Sequence, residues 1–323
     1  MTYDEILETV RAFWPARVVL TAVELGVADA LDGKALTAAE AALALKTDTR
    51  ATELLLDALV ALGLATKSGG RYTDSAAARA CLAASSPTCG AAGLRHQAHL
   101  WRSWSALTEV VRTGRPPGRE AERPVGEYHD FVRAMYDFAW DRAQLLAKAL
   151  DLAGARRMLD LGGGPGSYAI ACCQLNPGLR AVVFDRPPAL DVARDIVARH
   201  GAGGQVSLQA GDFLTDDIGT GYDLVLVSQI LHSFDDAQCR AILGKAARAL
   251  VPGGRVVVQE FLLDEGRTSP VPAALFAINM LVNTERGRTY TGGEVAGWLA
   301  AAGLPRIERL PFPGPGAVLV AWS

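Results

Sequence analysis

Arg157-Met158-Leu159-Asp160-Leu161-Gly162-Gly163-Gly164-Pro165-Gly166-Ser167 decides how the rest of the chain is read. Met158 to Leu161 is a short apolar run with the character of a buried strand, and it passes straight into a glycine-rich turn. From Ser167 to Leu175 the apolar spacing is helical. Strand, glycine turn and helix open a Rossmann-type half, where bare backbone N–H groups and a helix N-terminus meet a ligand. A Cβ in that turn would block close approach of ligand to backbone or forbid φ > 0. The dinucleotide pattern G-x-G-x-x-G fits imperfectly, because counting from Gly162 puts Ser167 at the sixth place. What stands there is an acid followed by alternate glycines: Asp160, Gly162, Gly164 and Gly166. Glycine turns also occur in α/β proteins with no ligand at this point, so the downstream residues have to decide.

Downstream, strands and helices alternate. Ala181 to Asp185 reads as a buried strand, Ala189 to His200 as a helix, and Val206 to Asp212 as a strand. Tyr222 to Ile230 is the next strand, Asp235 to Leu250 a helix, and Pro252-Gly253-Gly254 a turn. Arg255 to Leu263 is a further strand and Thr291 to Ala302 a helix, and strands at 306–310 and 317–322 close the chain. This alternation predicts a mostly parallel seven-stranded sheet with helices on both faces.

In such a sheet a ligand sits outside the carboxyl ends of the strands, and three acids fall at such ends. Asp160 is the first. Asp185 follows Gly166 by 19 residues, the place of a carboxylate that accepts from ribose hydroxyls. Asp212 stands beside Phe213, where an acid can accept from an adenine amino group while the ring packs on the base. Each alone is equally a surface-loop acid; three after consecutive strands weaken that alternative. The fourth strand ends Ser228-Gln229-Ile230-Leu231-His232-Ser233-Phe234-Asp235-Asp236. His232 either helps a helix capped near Ser233 or Asp235 to start, or serves as a general base, for which an unperturbed pKa of roughly 6.5 is suited. Glu260 on the next strand is placed to hydrogen-bond that imidazole. No carboxylate cluster suggests a metal site.

The first hundred residues are helical and rich in Ala and Leu. Phe13, Trp14, Val18, Val19, Ala22, Val23 and Leu25 give a helix with a wide apolar surface, stopped at Gly26. Thr37 to Glu40 fits a capping box, and Thr49 is expected to cap a longer helix ending at Gly63. Ala65 to Thr73 reads as two strands turning at Gly69-Gly70. Helix, helix and wing resemble a DNA-binding module, but the charges oppose that use. Residues 1–100 hold nine Lys and Arg against eleven Asp and Glu, and the helix from Arg50 to Leu62 carries one base and two acids. Such a surface cannot neutralise phosphates, and its apolar face is better suited to burial against another subunit. Between 101 and 150, helical segments flank a loop at Thr113-Gly114-Arg115-Pro116-Pro117-Gly118. Trp101, Trp104, Tyr128, Phe131, Met135, Tyr136, Phe138 and Trp140 in this region are either plain core or part of an acceptor-pocket wall. The division expected is therefore 1–100, a helical connector at 101–150, and a ligand-binding domain at 151–323.

Bulk properties agree with a globular protein. Of 323 residues, 50% are hydrophobic and 21% charged, and the net charge of −3 gives no reason to expect nucleic acid or an anionic membrane as partner. Met1-Thr2-Tyr3-Asp4-Glu5 is unlike a targeting peptide, and no apolar run has the length of a membrane span. The five cysteines form no C-x-x-C pair; Cys172 and Cys173 read as small packing residues on a buried helix. A reduced, cytoplasmic setting is expected.

Taken together, LDLGGGPG (159–166), VFDRP (183–187), GDF (211–213), ILHSFDD (230–236), PGGRVVVQEFLLDE (252–265) and TYTGGEVAGWLAAAGL (289–304) resemble a known family. They are similar to class I S-adenosyl-L-methionine-dependent O-methyltransferases of the caffeate and acetylserotonin type, including bacterial natural-product members. The resemblance covers nearly the whole chain. It implies a Rossmann-like cofactor domain and a helical, winged-helix-like N-terminal domain that dimerises by swapping helices and lines the partner's pocket. It implies cofactor contacts at Gly162, Gly163, Gly164, Asp185, Asp212 and Phe213, with Ser228 near the methionine end, and Asp160 joins them as the acid at the strand end. Asp160 would bind the methionine ammonium, directly or through water. His232 would be the base and Glu260 its support, and no metal is implied. Phe131, Met135, Tyr136, Phe276, Met280 and Asn283 would wall the pocket of an aromatic small-molecule acceptor. The chain departs from the plant pattern at Ser233 (usually Asp), at Ser228 (usually Lys), and at Thr289, where a second Glu stands in plant enzymes; Glu285 is nearby but displaced. The activity expected is methyl transfer to a phenolic hydroxyl in secondary metabolism. C-methylation, a non-methylating relative that keeps the cofactor, and a ligand-sensing transcription regulator are the alternatives.

Overall fold

A computed structural model describes residues 1–116, 125–313 and 316–323; Pro117 and Gly118 of the expected 113–118 loop lie outside the described residues. The chain divides into two compact units, Met1–Arg102 and Ser103–Ser323.

The first unit begins with helices α1 (Tyr3–Arg11), α2 (Phe13–Leu25) and α3 (Val27–Leu31), followed by β1 (Leu36–Thr37), α4 (Ala38–Leu45) and α5 (Thr49–Ala61). Strands β2 (Ala65–Ser68) and β3 (Arg71–Asp74) then lead to α6 (Ala76–Leu82) and α7 (Ala91–Ser105), whose last residues from Ser103 belong to the second unit. Thr2 with Glu5 and Thr37 with Glu40 form reciprocal capping boxes that satisfy the first free N–H groups of α1 and α4. Asp48, not Thr49, caps α5: its backbone is extended and its carboxylate accepts from Ala51 N at 2.8 Å. The hairpin turns at Gly69-Gly70, and β1 adds a third antiparallel strand along β3. Leu31, Leu56, Leu59 and Tyr72 fill the core. Ile6, Val10, Phe13 and Trp14 remain exposed along α1 and α2.

The second unit opens with α8 (Leu107–Thr113) and α9 (Val125–Ala149). Alternation follows: β4 (Arg157–Leu161), α10 (Ser167–Leu175), β5 (Arg180–Asp185), α11 (Pro187–Arg199), β6 (Val206–Ala210), β7 (Tyr222–Ser228), α12 (Asp236–Arg248) and β8 (Leu250–Glu260). It ends with β9 (Leu262–Leu263), α13 (Val271–Asn283), β10 (Tyr290–Thr291), α14 (Gly292–Ala301), β11 (Arg306–Leu310) and β12 (Ala317–Trp322). The main sheet has the order β11-β12-β8-β7-β4-β5-β6, with β12 antiparallel to both neighbours and the remaining pairs parallel. The two-residue strands β9 and β10 pair separately in parallel.

Period-two alternation divides the core into two faces. Met158, Val183, Leu224, Leu226 and Val257 point to the side covered by α9, α10 and α11. Leu159, Leu161, Val225, Val227, Val256 and Val258 point to the side of α12 and α14. Strands buried on both faces are why these segments read as unbroken apolar runs. Cys172 and Cys173 are both buried in the first of these layers. Because β5 and β7 lie on opposite sides of β4, chain direction switches there, and a crevice opens at the carboxyl end of β4.

Two boundaries differ from expectation. Strand β6 stops at Ala210, leaving Asp212 and Phe213 in the following turn, and β8 starts at Leu250, so Pro252 to Gly254 belong to it. A register shift between Tyr222 and Leu224 absorbs that irregular start. No helix among the described residues is long and apolar enough to cross a membrane.

Candidate active site

The turn after β4 is shaped by what lies beneath it. Gly162 has φ +65°, and a Cβ there would stand 2.7 Å from Ile230 Cδ1 and 3.2 Å from Phe213 Cε1. At Gly163 a Cβ would fall 2.6 Å from the carboxyl carbon of Asp160, so any side chain would fill the space above that acid. Asp160 is 0% exposed; its Oδ2 accepts from Ala169 N at 3.2 Å, and its Oδ1 is buried without a partner. Burial lifts its pKa to about 7, with the Ala169 N–H opposing and the neighbouring Asp185 charge adding to the rise. Ser167 Oγ, one residue into α10, is a second buried polar atom without a partner. An orphan carboxylate oxygen and an orphan hydroxyl beside a helix N-terminus form a cradle for a ligand with both ammonium and carboxylate character.

Asp185 ties the neighbouring strand to the turn. Its Oδ2 accepts from Gly164 N at 2.8 Å and its Oδ1 from Arg186 N at 2.7 Å. Burial pushes its pKa up, and those two backbone donors pull it back. Asp212 is exposed and its Oδ1 accepts from Leu214 N. The Phe213 ring meets Phe234 edge to face at 5.6 Å, close over Gly162. Lys245 of α12 fixes this turn, donating from Nζ to the carbonyls of Phe213 (2.8 Å), Leu214 (3.1 Å) and Asp216 (2.8 Å). Ser228 donates to Gln259 Oε1 at 2.7 Å, and Tyr168 OH donates to the same oxygen at 2.9 Å. Gln259 is fully buried and its Nε2 has no partner. Lys245, Tyr168, Ser167 and Gln259 give no motif signal; their importance comes from tertiary contacts.

At the end of β7 the chain bends sharply. Gln229 adopts φ +55°, its N–H donates to Gln259 O at 2.9 Å, and a single 3₁₀ turn carries Leu231 to Ser233. Strain of this kind gathers where a side chain has to be aimed. The side chain aimed here is His232. Its Nδ1 lies 2.9 Å from Glu260 Oε2, and Glu260 Oε1 accepts from Leu231 N at 2.8 Å. An ionised Glu260 accepts from Nδ1–H, which leaves the lone pair on Nε2. Among the described residues Nε2 makes no hydrogen bond. The helix that follows is capped by Asp235 in a box with Gln238, so His232 is not spent on starting it. A Cβ on Gly287 would fall onto the His232 carbonyl oxygen, so the 284–289 segment presses directly on this turn. Thr289 donates to the Ala273 carbonyl instead of reaching the imidazole, and Glu285 is exposed.

The residues expected to form the pocket wall are placed differently from one another. Phe276 meets the His232 ring edge to face at 4.9 Å, and Phe261 stacks on Phe276 at 4.6 Å. Met280 is buried in α13, and Asn283 Nδ2 donates to Asn279 O and Oδ1. Asn279 Oδ1 also takes the indole N–H of Trp104 at 2.9 Å. On α9, Phe131 packs against Tyr128 and the core layer, and Met135 is half-buried. Tyr136 does not belong with this wall. Its hydroxyl bonds His200 Nε2 at 2.8 Å and its ring packs on Trp140 and His200, at the end of α11 and so beside the amino ends of the strands. Helical spacing alone could not show which way that face turned. Among the described residues no group of three or more His, Cys, Asp or Glu is arranged to hold a metal ion.

Family models match this architecture: an O-methyltransferase domain over residues 108–305 and an O-methyltransferase dimerisation domain over residues 7–84. The chain belongs to the O-methyltransferase family. Among relatives of this O-methyltransferase is the 3-hydroxy-5-methyl-1-naphthoate 3-O-methyltransferase of Streptomyces sahachiroi, 36% identical over 94% of this chain and 90% of that protein. The tetracenomycin polyketide synthesis 8-O-methyltransferase of Streptomyces glaucescens is 32% identical over 98% of this chain and 95% of its own. Human N-acetylserotonin methyltransferase, solved in complex with SAM, superposes with a TM-score of 0.88 at 30% identity, covering 99% of this chain and 97% of that one.

Proposed function

We propose that this O-methyltransferase moves the methyl group of S-adenosyl-L-methionine onto a hydroxyl of an aromatic small molecule, with His232 as general base. The observation that carries this reading is the buried His232–Glu260 pair at 2.9 Å, which orients the imidazole and directs Nε2 away from the carboxylate. The named relatives act on a hydroxynaphthoate, a tetracenomycin polyketide and N-acetylserotonin, which supports an aromatic acceptor and a place in natural-product synthesis.

The cradle at the end of β4 suits the cofactor. Asp160 Oδ1 would take the methionine ammonium, and the α10 N-terminus with Ser167 and the glycine N–H groups would hold the carboxylate. Asp185 would accept from the ribose hydroxyls, Asp212 from the adenine amino group, and Phe213 would pack on the base. Ser228, held by Gln259, would border the methionine end. When bound, the cofactor supplies a methyl group activated by the sulfonium. His232 Nε2 would receive the acceptor hydroxyl proton as the oxygen attacks, and Glu260 would stabilise the imidazolium. Phe276 would hold the acceptor ring beside the imidazole. Alignment of the two reactants is the larger effect, worth up to roughly 7–11 kcal/mol. The dimerisation domain supports a homodimer built through the first unit.

The test is labelled methyl transfer to a panel of phenols and hydroxynaphthalenes. His232→Ala is expected to keep cofactor affinity and lose about 10²–10⁴ in turnover. Equal turnover in variant and wild type removes the base role. Cofactor binding without transfer to any acceptor removes the activity.

A further inference from the structure

Arg142 is a cation placed beside the candidate site. It sits half-buried on α9, and among the described residues no carboxylate or carbonyl takes its guanidinium. Arg240, Arg286, Arg267 and Arg288 of this unit each meet a carboxylate, of Asp236, Asp235 and Glu294, and among the described residues Arg142 does not. A half-buried guanidinium without an anion is open to one supplied by a ligand.

The place of the guanidinium says where that anion comes from. It lies 5.7 Å from the centre of the Phe261 ring. Phe261 stacks on Phe276, and Phe276 meets His232. Arg142 therefore borders the aromatic wall that ends at the imidazole, on the side where an acceptor ring would be held. In the reading above, the cofactor's own carboxylate would be held by the α10 N-terminus and Ser167. Two hydroxyls, Tyr168 and Ser228, share Gln259 nearby, and the Arg142 charge acts on the Tyr168 hydroxyl.

We propose that Arg142 binds a carboxylate carried by the acceptor, so that the preferred substrates are aromatic hydroxy acids whose hydroxyl is presented to His232. This rests on the methyl-transfer reading above. A guanidinium fork suits a carboxylate in two parallel hydrogen bonds, and Phe261 holds the fork flat against the pocket wall. Arg142 acts as a specificity residue: it selects the acceptor and takes no proton.

The experiment uses the full-length protein with hydroxynaphthoates and hydroxybenzoates, each beside its methyl ester. Transfer kinetics are measured for wild type, Arg142→Met and Arg142→Lys, and equilibrium binding of the same compounds is measured on protein loaded with S-adenosylhomocysteine. Wild type is expected to favour an acid over its ester by roughly 10–100-fold in kcat/KM. Arg142→Met is expected to erase that preference through KM for the acid, leaving the ester and the cofactor dissociation constant within about twofold. Arg142→Lys is expected to recover part of it. Acid preference surviving in Arg142→Met overturns the proposal, as does a preference for esters in wild type. Weakened cofactor binding with acid preference intact also overturns it and assigns Arg142 to the methionine carboxylate. Arg142-dependent acid binding without any transfer supports the carboxylate site while removing the methyl-transfer reading. Transfer to neutral phenols with no acid bound removes the site and leaves the methyl-transfer reading standing.

Discussion

Asp160 holds a carboxyl group in a closed space with one backbone N–H as its partner, and burial raises its pKa from 3.8 to about 7. The sign of the consequence follows from linkage. A carboxyl whose folded pKa is raised contributes its full stability below the unfolded pKa, and that contribution is lost as pH rises through about 7. In the cofactor-free protein the ionised form is therefore destabilising by up to about 4 kcal/mol. Asp160→Asn is expected to gain stability over wild type in denaturant titrations as pH rises from about 4 to 7, with little difference below the unfolded value of 3.8 and a constant gain above pH 7. Cofactor affinity should follow the opposite course: it strengthens through pH 7 in wild type, as the carboxylate forms opposite the ammonium, and flattens in Asp160→Asn. Identical stability profiles for the two proteins would show that water reaches Asp160 and that the orphan oxygen is not held dry. Asp160, His232 and Glu260 are legible in the sequence because strand ends are, and acids or a histidine at strand ends stand out. Arg142 is not legible. An arginine on an amphipathic helix is ordinary, and only the folded chain shows it on Phe261 and, among the described residues, without a carboxylate on its guanidinium.

At the scale of elements, alternating apolar runs fix most of the sheet, and the residues that aim the site lie where the pattern breaks. Strand β8 includes Pro252, Gly253 and Gly254, which look like a turn, because the partner strand shifts register to accept them. Gln229 leaves β7 with positive φ, a conformation that no residue type there announces. The turn from Asp212 to Asp216 closes on the Asp212 carbonyl, which accepts from Thr215 N and Asp216 N, and Lys245 ties it to α12. Three carbonyls converge on that ammonium, so α12 sets the position of Phe213 relative to Gly162. Lys245→Met removes all three bonds while keeping the apolar stem. It is expected to weaken cofactor binding by about 5–30-fold, corresponding to roughly 1–2 kcal/mol, with turnover at saturating cofactor little changed. Calorimetric titration with the cofactor checks the first part and steady-state kinetics the second. A loss confined to turnover would mean that the turn holds its shape alone and that Lys245 acts elsewhere.

Among the described residues of the first unit, helices α1 and α2 carry large apolar side chains on an exposed face. Phe13 is 48% exposed and Trp14 56%, and Ile6 and Val10 extend the same line along α1. Large apolar side chains spaced along two consecutive helices are a liability in water unless another protein surface buries them. The sequence shows this as an apolar stripe too wide for one core face, and the dimerisation-domain match gives the stripe a partner, a second copy of the chain. What the sequence could not show is which residues stay outside. Val18 and Ala22 of the same helix pack into the unit's own core beside Leu31 and Leu56. A change that breaks dimers without unfolding the unit therefore has to avoid that inner face. Phe13→Asp with Trp14→Asp meets the condition, placing two charges on exposed positions where a homodimer would have to desolvate them without partners. Sedimentation velocity is expected to show wild type at twice the chain mass and the double variant at the single-chain mass, with far-ultraviolet circular dichroism unchanged. A double variant that still sediments as a dimer would place the dimer contact on another face and leave α1 and α2 free.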